Sequence, residues 1–129
     1  MIKALLLLCW MPLAFAHEGH NHAPAAAHAP HGGILKDGQH LMLELVAEGK
    51  NLKVFPLTHD LKPIPVADVQ LAASAQVPRK GKPESVTFKA GGDAFEGSFD
   101  AKGAHRFTLQ VTATWNGKKD KASFNVEAN

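Results

Sequence analysis

Cysteine is nearly absent from this sequence of 129 residues, since Cys9, in the first sixteen residues, is the only one. A disulfide framework is therefore excluded, and a chain of this length can bury enough surface to fold without one. The sequence also lacks an excess of one charge, because 14 basic and 12 acidic residues give a net charge of +2. This balance argues against a nucleic-acid-binding protein, which needs a concentrated basic face.

Long apolar runs are absent outside the N-terminus. Lys3 supplies a short positive region, Leu5–Leu13 is apolar, and Ala14-Phe15-Ala16 has the small-x-small pattern of a cleavage site. Because this run is too short to span a bilayer, the pattern predicts a cleaved signal peptide over residues 1–16. We therefore expect an exported, periplasmic protein with no membrane segment after cleavage.

The chain after the predicted signal peptide has two unlike parts. Residues 17–33 contain no large apolar side chain and no periodicity, which predicts a flexible histidine-rich arm. In residues 34–129 apolar and polar side chains alternate in short segments. About seven short strands at turn spacings of about ten residues predict an all-β domain, an immunoglobulin-like antiparallel β-sandwich, with a small barrel as the alternative.

The clearest local prediction is a hairpin near the C-terminus. Apolar and polar side chains alternate throughout Arg106–Trp115, and Asn116-Gly117 follows, the pair most typical of a two-residue turn. Such a turn pairs only apolar residues on the inner face, so the register agrees with the hydrophobic pattern. The expected pairs are Val111 with Ala122, Leu109 with Phe124, and Phe107 with Val126.

Shorter strands are predicted earlier in the chain. Alternating leucines at 41, 43 and 45 precede a turn at Glu48-Gly49-Lys50 and a second strand that starts at Leu52. Pro56 is expected to end that second strand or to confine it to a sheet edge. Alternation at Val86, Phe88 and Ala90 predicts one further strand.

Histidine is the residue type in excess, with eight in the chain and five of them between His17 and His31. Neutral imidazole suits copper, zinc, nickel and cobalt. His17, His20 and His22 place three donors within six residues, and His28 adds another. Ordering six flexible residues costs roughly 6–12 kcal/mol, against roughly 10–16 kcal/mol gained at a structural zinc site. A tight site is therefore expected to need a ligand held on the sandwich, and a solvated tail with incidental metal affinity is the alternative.

His40 is the predicted anchor on the sandwich. If the leucines at 41, 43 and 45 face the core, then His40, Met42 and Glu44 share the opposite face of the strand. His40 and Met42 are then candidate ligands of one ion, and a thioether favours Cu(I). Glu44 is either a metal ligand or an acceptor for an imidazole N–H.

Two more histidines are candidate ligands. His31 precedes Gly32-Gly33, which allows the backbone to turn sharply and bring the arm back to the sheet beside His40. His59 lies in a predicted turn, where Asp60 either orients the imidazole or only stabilises the turn.

Cleavage after Ala16 leaves His17 as the N-terminal residue, which opens a second chemical possibility. Its α-amine and Nδ1 can chelate one Cu(II), and another histidine would complete a histidine brace, a type of site that activates oxygen in some proteins. The sequence has no His-Glu-x-x-His motif, and no nucleophile can be argued to stand beside a base, so the chain is not predicted to be an enzyme.

Several segments between residues 28 and 70 together resemble a known family: His31–Leu35, Gln39–Val46, Leu52–Phe55 and His59–Ile64. The chain is similar to the histidine-rich periplasmic N-terminal module of adaptor proteins in heavy-metal efflux pumps of the resistance-nodulation-division class, and to related free-standing secreted metal-binding proteins. The resemblance implies a metal-binding role in heavy-metal resistance, with His31, His40 and Glu44 at matching positions. Because the adaptors' coiled-coil hairpin, lipoyl-like and barrel domains are missing, a free-standing binder or metallochaperone is expected.

The function predicted from the sequence is binding of copper or zinc in the periplasm, with buffering or delivery of the metal to an efflux system. Nickel and cobalt remain open, as do efflux-pump subunits as partners and a metal-bridged dimer. The alternative function is a non-metal interaction module that binds another periplasmic protein through an edge at Leu52–Leu57, with the arm as a linker.

Overall fold

The computed structural model describes residues 28–128, which form two antiparallel β-sheets packed face to face as a β-sandwich. The strands of this part of the chain are β1 (Ile34–Asp37), β2 (Met42–Glu48), β3 (Asn51–Leu57), β4 (Val69–Gln76), β5 (Glu84–Val86), β6 (Lys89–Gly91), β7 (Ala94–Ser98), β8 (Arg106–Trp115) and β9 (Lys118–Glu127). One sheet has the order β1-β2-β3-β7-β6 and the other β5-β4-β8-β9. The all-β prediction is confirmed, with nine strands in these residues where about seven were expected.

Helical structure between residues 28 and 128 is limited to a three-residue 3-10 turn, Val66–Asp68. Across the same residues, the structure contains no helix with the length and apolar character needed to cross a membrane.

Alternation along the strands places the core between the sheets. The three alternating leucines at 41, 43 and 45 are buried in it, and β8 and β9 supply apolar side chains from the opposite sheet. Burying one such leucine side chain contributes roughly 1.5–3 kcal/mol relative to exposure. The opposite face of β2 therefore points away from this core, as the sequence predicts.

The predicted C-terminal hairpin is confirmed in position and in register. Val111 pairs with Ala122, Leu109 with Phe124, and Phe107 with Val126. Asn116 and Gly117 have φ angles of +53° and +73°. Positive φ at both central residues is what a type I′ turn requires, and this turn matches the twist of the flanking strands.

Of the two outcomes predicted for Pro56, the sheet edge is wrong, whereas the strand does end at Leu57, one residue after the proline. β3 lies inside its sheet, between β2 and β7, and Pro56 pairs with Leu43 of β2. Pairing with β7 covers only Asn51–Val54, and beyond it the Pro56 carbonyl accepts the Ile64 N–H at 3.0 Å. Proline is tolerated there because β7 has already ended, so no carbonyl of that strand needs a hydrogen bond from an N–H at position 56. The segment Leu52–Leu57, predicted as an interaction edge, is therefore hydrogen-bonded to β2 on one side and, over its first half, to β7 on the other.

The alternation at Val86, Phe88 and Ala90 does not form one strand. β5 pairs with β4 in one sheet, whereas β6 pairs with β7 in the other, so the chain changes sheets between Val86 and Lys89. Val86 is buried in the core and Phe88 packs against it. The alternation indicates that the side chains of Val86 and Phe88 both face the core, but it does not indicate to which sheet each residue belongs.

Leu109 tests the core contributed by the hairpin, because its side chain is 0% exposed. Leu109→Ala should lower the free energy of unfolding by about 2–5 kcal/mol through lost burial and a residual cavity. Urea denaturation followed by fluorescence measures the change. Thr112→Ala, on the outer face of the same strand, should change it by less than about 0.5 kcal/mol, and equal losses in the two variants would contradict the assigned faces.

Candidate functional site

Several predicted features lie outside the residues that the structure describes. They are the signal peptide, the predicted arm as far as residue 27, and the candidate ligands His17, His20 and His22. His28 is the first described residue and is exposed. The other candidates, His31, His40, Met42, Glu44 and His59, are all placed.

His31 is fastened to Glu44 through both its backbone and its ring. The His31 N–H donates to Glu44 Oε2 at 2.8 Å, and His31 Nδ1 lies 2.7 Å from Glu44 Oε1. Gly33 N–H donates to the same Oε2 at 2.9 Å. Both oxygens of this 0% exposed carboxylate are therefore occupied by groups from the His-Gly-Gly segment.

The two glycines after His31 make this contact sterically possible. Gly32 has a φ of +73°, a conformation that costs a residue with a side chain more than it costs glycine. A Cβ at Gly33 would overlap the carbonyl oxygen of Leu45 on β2. The segment can therefore lie against β2 only if residue 33 has no side chain.

Glu44 is buried although it points away from the main core. A second apolar cluster covers this outer face of β2, built on Phe55, Leu57 and Ala94. The His31 ring stacks on Phe55, with ring centroids 3.7 Å apart and planes inclined by 11°. On this face the Glu44 carboxylate contacts the His31 ring nitrogen Nδ1 directly.

The last residues of the predicted arm contact the sheet, because the N–H groups of His31 and Gly33 both donate to the buried Glu44 carboxylate. This part of the arm lacks apolar side chains to bury, and it is held by hydrogen bonds to a residue thirteen positions further along the chain.

His40 is held in the same way by a different carboxylate. Its N–H donates to Asp120 Oδ2 at 2.8 Å, and its Nδ1 lies 2.9 Å from Asp120 Oδ1. The buried Leu41 N–H also donates to Asp120 Oδ2, at 3.0 Å. Asp120 belongs to β9 of the opposite sheet, so the pair ties the turn between β1 and β2 to the other half of the sandwich.

Asp120 was missed by the sequence reasoning, although a signal for it exists. In β9 the side chains at 122, 124 and 126 pair with inward-facing residues of β8, and position 120 continues the same face. A charged residue at a core-facing strand position requires hydrogen-bond partners. Here they come from a turn 80 residues earlier in the chain, a distance that no local pattern spans.

Hydrogen bonding sets the protonation of Asp120. Burial by itself raises the pKa of this carboxyl, but the hydrogen bonds from the His40 side chain, the His40 N–H and the Leu41 N–H outweigh it, so the pKa lies below the usual 3.8. The group is therefore an acceptor at neutral pH.

His59 supports the same turn from the other side. Its Nε2 lies 2.9 Å from the Gly38 carbonyl oxygen and 3.2 Å from Asp37 Oδ1. The carboxylate that pairs with this ring is thus Asp37 and not the neighbouring Asp60. A Cβ at Gly38 would lie only 2.7 Å from Asp120 Oδ2, so the turn is packed closely on that carboxylate.

The structure gives His40, Met42 and Glu44 different partners and does not bring the three side chains into one cluster. The His40 ring bonds to Asp120, Glu44 bonds to His31, and Met42 packs in the second apolar cluster. Between residues 28 and 128 no group of three or more histidine, cysteine, aspartate or glutamate side chains could hold a metal ion. The described chain instead carries two separate pairs of a histidine with a buried carboxylate, His31–Glu44 and His40–Asp120, and an exposed pair, His59–Asp37.

In comparisons with known proteins, no family model, no curated protein and no solved structure matches this chain.

Replacing Asp120 should destabilise the fold in a pH-dependent way. Asp120→Asn replaces one acceptor oxygen by an NH2 group, so the His40 ring must either change its tautomer or lose its partner, which should cost about 1–3 kcal/mol at pH 7. Because the pKa of Asp120 is lowered on folding, its contribution is present above pH 3.8 and is lost as the pH falls through the folded-state value. Urea denaturation across pH 2.5–7 measures this.

The difference between the wild type and Asp120→Asn should therefore shrink on acidification. Asp93→Asn, at an exposed turn carboxylate, is the control and should track the wild type at every pH. A difference that stays constant down to pH 2.5 would show that the carboxylate charge does not account for the stabilisation.

Gly33 provides a steric test of the His31–Glu44 pair. Gly33→Ala should push the segment away from Leu45, weaken the pair and cost roughly 1–3 kcal/mol as overpacking. Gly81→Ala is the matched control, because a Cβ there meets no atom within 4 Å. Thermal unfolding and the NMR shifts of the His31 ring should change in the first variant only; unchanged ring shifts in Gly33→Ala would refute the close approach.

Proposed function

We propose that this is an exported, periplasmic β-sandwich protein that binds a transition metal, copper or zinc, and buffers it or delivers it to an efflux system. The observation that carries the proposal is the pair of imidazoles, each positioned through Nδ1 by a buried carboxylate. Histidines that bind metals usually donate their other ring N–H to a carboxylate, a carbonyl or water, which fixes the ring and raises its basicity.

Partial exposure of both rings favours ligand binding over a purely structural role. The side chains of His31 and His40 are 32% and 31% exposed, whereas their carboxylate partners are 0% and 5% exposed. Each pair therefore has a buried end that is fully hydrogen-bonded and an imidazole end that reaches the surface. A metal can approach the imidazole without breaking the pair.

Each of these two pairs supplies only one imidazole, whereas a zinc site takes about four ligands. The remaining donors would come from His17, His20, His22 and His28 of the predicted arm. His28 lies three residues before His31, so the arm joins the sandwich beside the first pair. A second copy of the chain is the other source of imidazoles, which keeps the metal-bridged dimer as a variant of the same proposal.

The resemblance to the efflux-adaptor module is part of the same proposal. Its three matching positions, His31, Glu44 and His40, are residues of the two pairs described above. We also propose that the sandwich is immunoglobulin-like. The sheet β1-β2-β3-β7-β6 packs on β5-β4-β8-β9, and the chain changes sheets after β3, after β5 and after β7, as in Greek-key sandwiches.

Calorimetric titration of the processed protein with Zn(II) and Cu(II) tests the proposed function, with the N-terminus confirmed by mass spectrometry. We expect a dissociation constant well below about 1 mM, the millimolar threshold for weak binding. His31→Ala/His40→Ala and, separately, His17→Ala/His20→Ala/His22→Ala should each weaken it about 10–100-fold. Binding should also weaken on acidification, because imidazole must lose its proton to bind metal.

His105→Ala is the control for a general loss of histidine, since His105 is exposed and lies just before β8. Its affinity should equal that of the wild type. Millimolar affinity for both metals in the wild type would refute the proposal and would leave an interaction module as the better hypothesis.

A further inference from the structure

We infer that Glu44 and Asp120 hold His31 and His40 in the Nδ1–H tautomer, so that each ring offers only Nε2 to a ligand and the His-Gly-Gly segment is closed to chelation of Cu(II) by backbone amides. Glu44 and Asp120 are positioning residues in this arrangement. The consequence for metals rests on the proposed function, whereas the tautomers themselves do not.

The tautomer of His31 follows from the chemistry of its partner. A carboxylate accepts hydrogen bonds and has no proton to donate, so the contact of 2.7 Å between His31 Nδ1 and Glu44 Oε1 requires a hydrogen on Nδ1. A neutral imidazole carries one N–H. Its Nε2 therefore has the free lone pair that binds a metal.

His40 repeats the arrangement with unrelated elements. Its Nδ1 lies 2.9 Å from Asp120 Oδ1, while its own N–H donates to Oδ2 of the same carboxylate. In both pairs the backbone N–H and the ring Nδ1 of one histidine contact the two oxygens of one buried carboxylate. This two-point contact fixes the side chain and the tautomer together.

His59 provides an internal contrast. Its Nε2 is 2.9 Å from the Gly38 carbonyl oxygen, which can only accept. The His59 ring should therefore carry its hydrogen on Nε2, the opposite tautomer to that of His31 and His40.

Backbone chelation of Cu(II) by a flexible His-Gly-Gly segment uses the histidine Nδ1 and the deprotonated amides of the next residues. Here all three of these nitrogen atoms already have hydrogen-bond partners. His31 Nδ1 and Gly33 N–H bond to Glu44, and Gly32 N–H donates to the Ala29 carbonyl at 3.0 Å. Deprotonating Gly33 would also place a negative charge against a buried carboxylate. The folded segment should therefore favour metals that bind through an imidazole nitrogen and do not need deprotonated backbone amides, such as Zn(II), Co(II) and Cu(I).

Long-range ¹H–¹⁵N correlation NMR of the metal-free, ¹⁵N-labelled processed protein at pH 8 tests the tautomers directly. We expect protonated Nδ1 and unprotonated Nε2 at His31 and His40, and the reverse at His59, with each ring assigned from a His→Gln variant. The wild-type spectrum decides the question by itself. Protonated Nε2 at either His31 or His40 overturns the inference.

Glu44→Gln and Asp120→Asn separate positioning from a merely structural effect. Glu44→Gln should abolish the tautomer preference of His31 and leave that of His40 intact. Asp120→Asn should abolish the preference of His40 and leave that of His31 intact. Glu48→Gln is the matched control, because Glu48 is an exposed carboxylate on the same strand and should leave both rings unchanged. A His31 tautomer that survives Glu44→Gln in a folded protein would overturn the role of Glu44.

Metal titrations complete the test in His17→Ala/His20→Ala/His22→Ala/His28→Ala protein. Zn(II) should shift the ¹⁵N signal of Nε2 and not that of Nδ1 at His31. Electron paramagnetic resonance of added Cu(II) should show no amide nitrogen ligands from this segment in the folded protein, and such ligands should appear in urea. Amide ligation in the folded protein overturns the inference. Correct tautomers, with no Zn(II) shift at any histidine of the wild-type processed protein, would uphold the inference and refute the proposed function.

Discussion

Two buried carboxylates, Glu44 and Asp120, organise this site. Their side chains are 0% and 5% exposed. An ionised carboxylate taken out of water costs several kcal/mol unless hydrogen bonds replace its hydration. Both groups meet this requirement with three N–H donors each, and within residues 28–128 no buried side-chain nitrogen or oxygen lacks a partner. The positions of His31 and His40 follow from this requirement.

The two pairs act on different parts of the sandwich. Glu44 fastens the segment before β1 to the outer face of one sheet, where the His31 ring also covers Phe55. Asp120 joins the turn between β1 and β2 to the opposite sheet, and His59 supports that turn through Gly38. The histidines are thus parts of rigid contacts and are not loose surface side chains. Their imidazole ends are nevertheless still partly open to solvent.

Much of the fold could be predicted from local patterns. Alternation and the Asn116-Gly117 turn determined the register of β8 and β9, because a slip by one residue would have turned every apolar side chain outward. The same reasoning put Glu44 on the face away from the leucines. It failed at Pro56, where the length of a neighbouring strand decided whether proline was tolerated, and at Val86–Ala90, where one periodic run serves two sheets.

Local patterns predict an all-β domain from residue 34 onward and the position of its clearest hairpin, and composition shows that histidine is the chemically distinctive residue. These properties depend on residue counts and on side chains close together along the chain. The pairing of His31 with Glu44 and of His40 with Asp120, and the packing of Met42 in an apolar cluster, depend instead on contacts between distant segments. Strand periodicity specifies the face on which a side chain lies, whereas the partner of a buried charge depends on which distant segment folds against it.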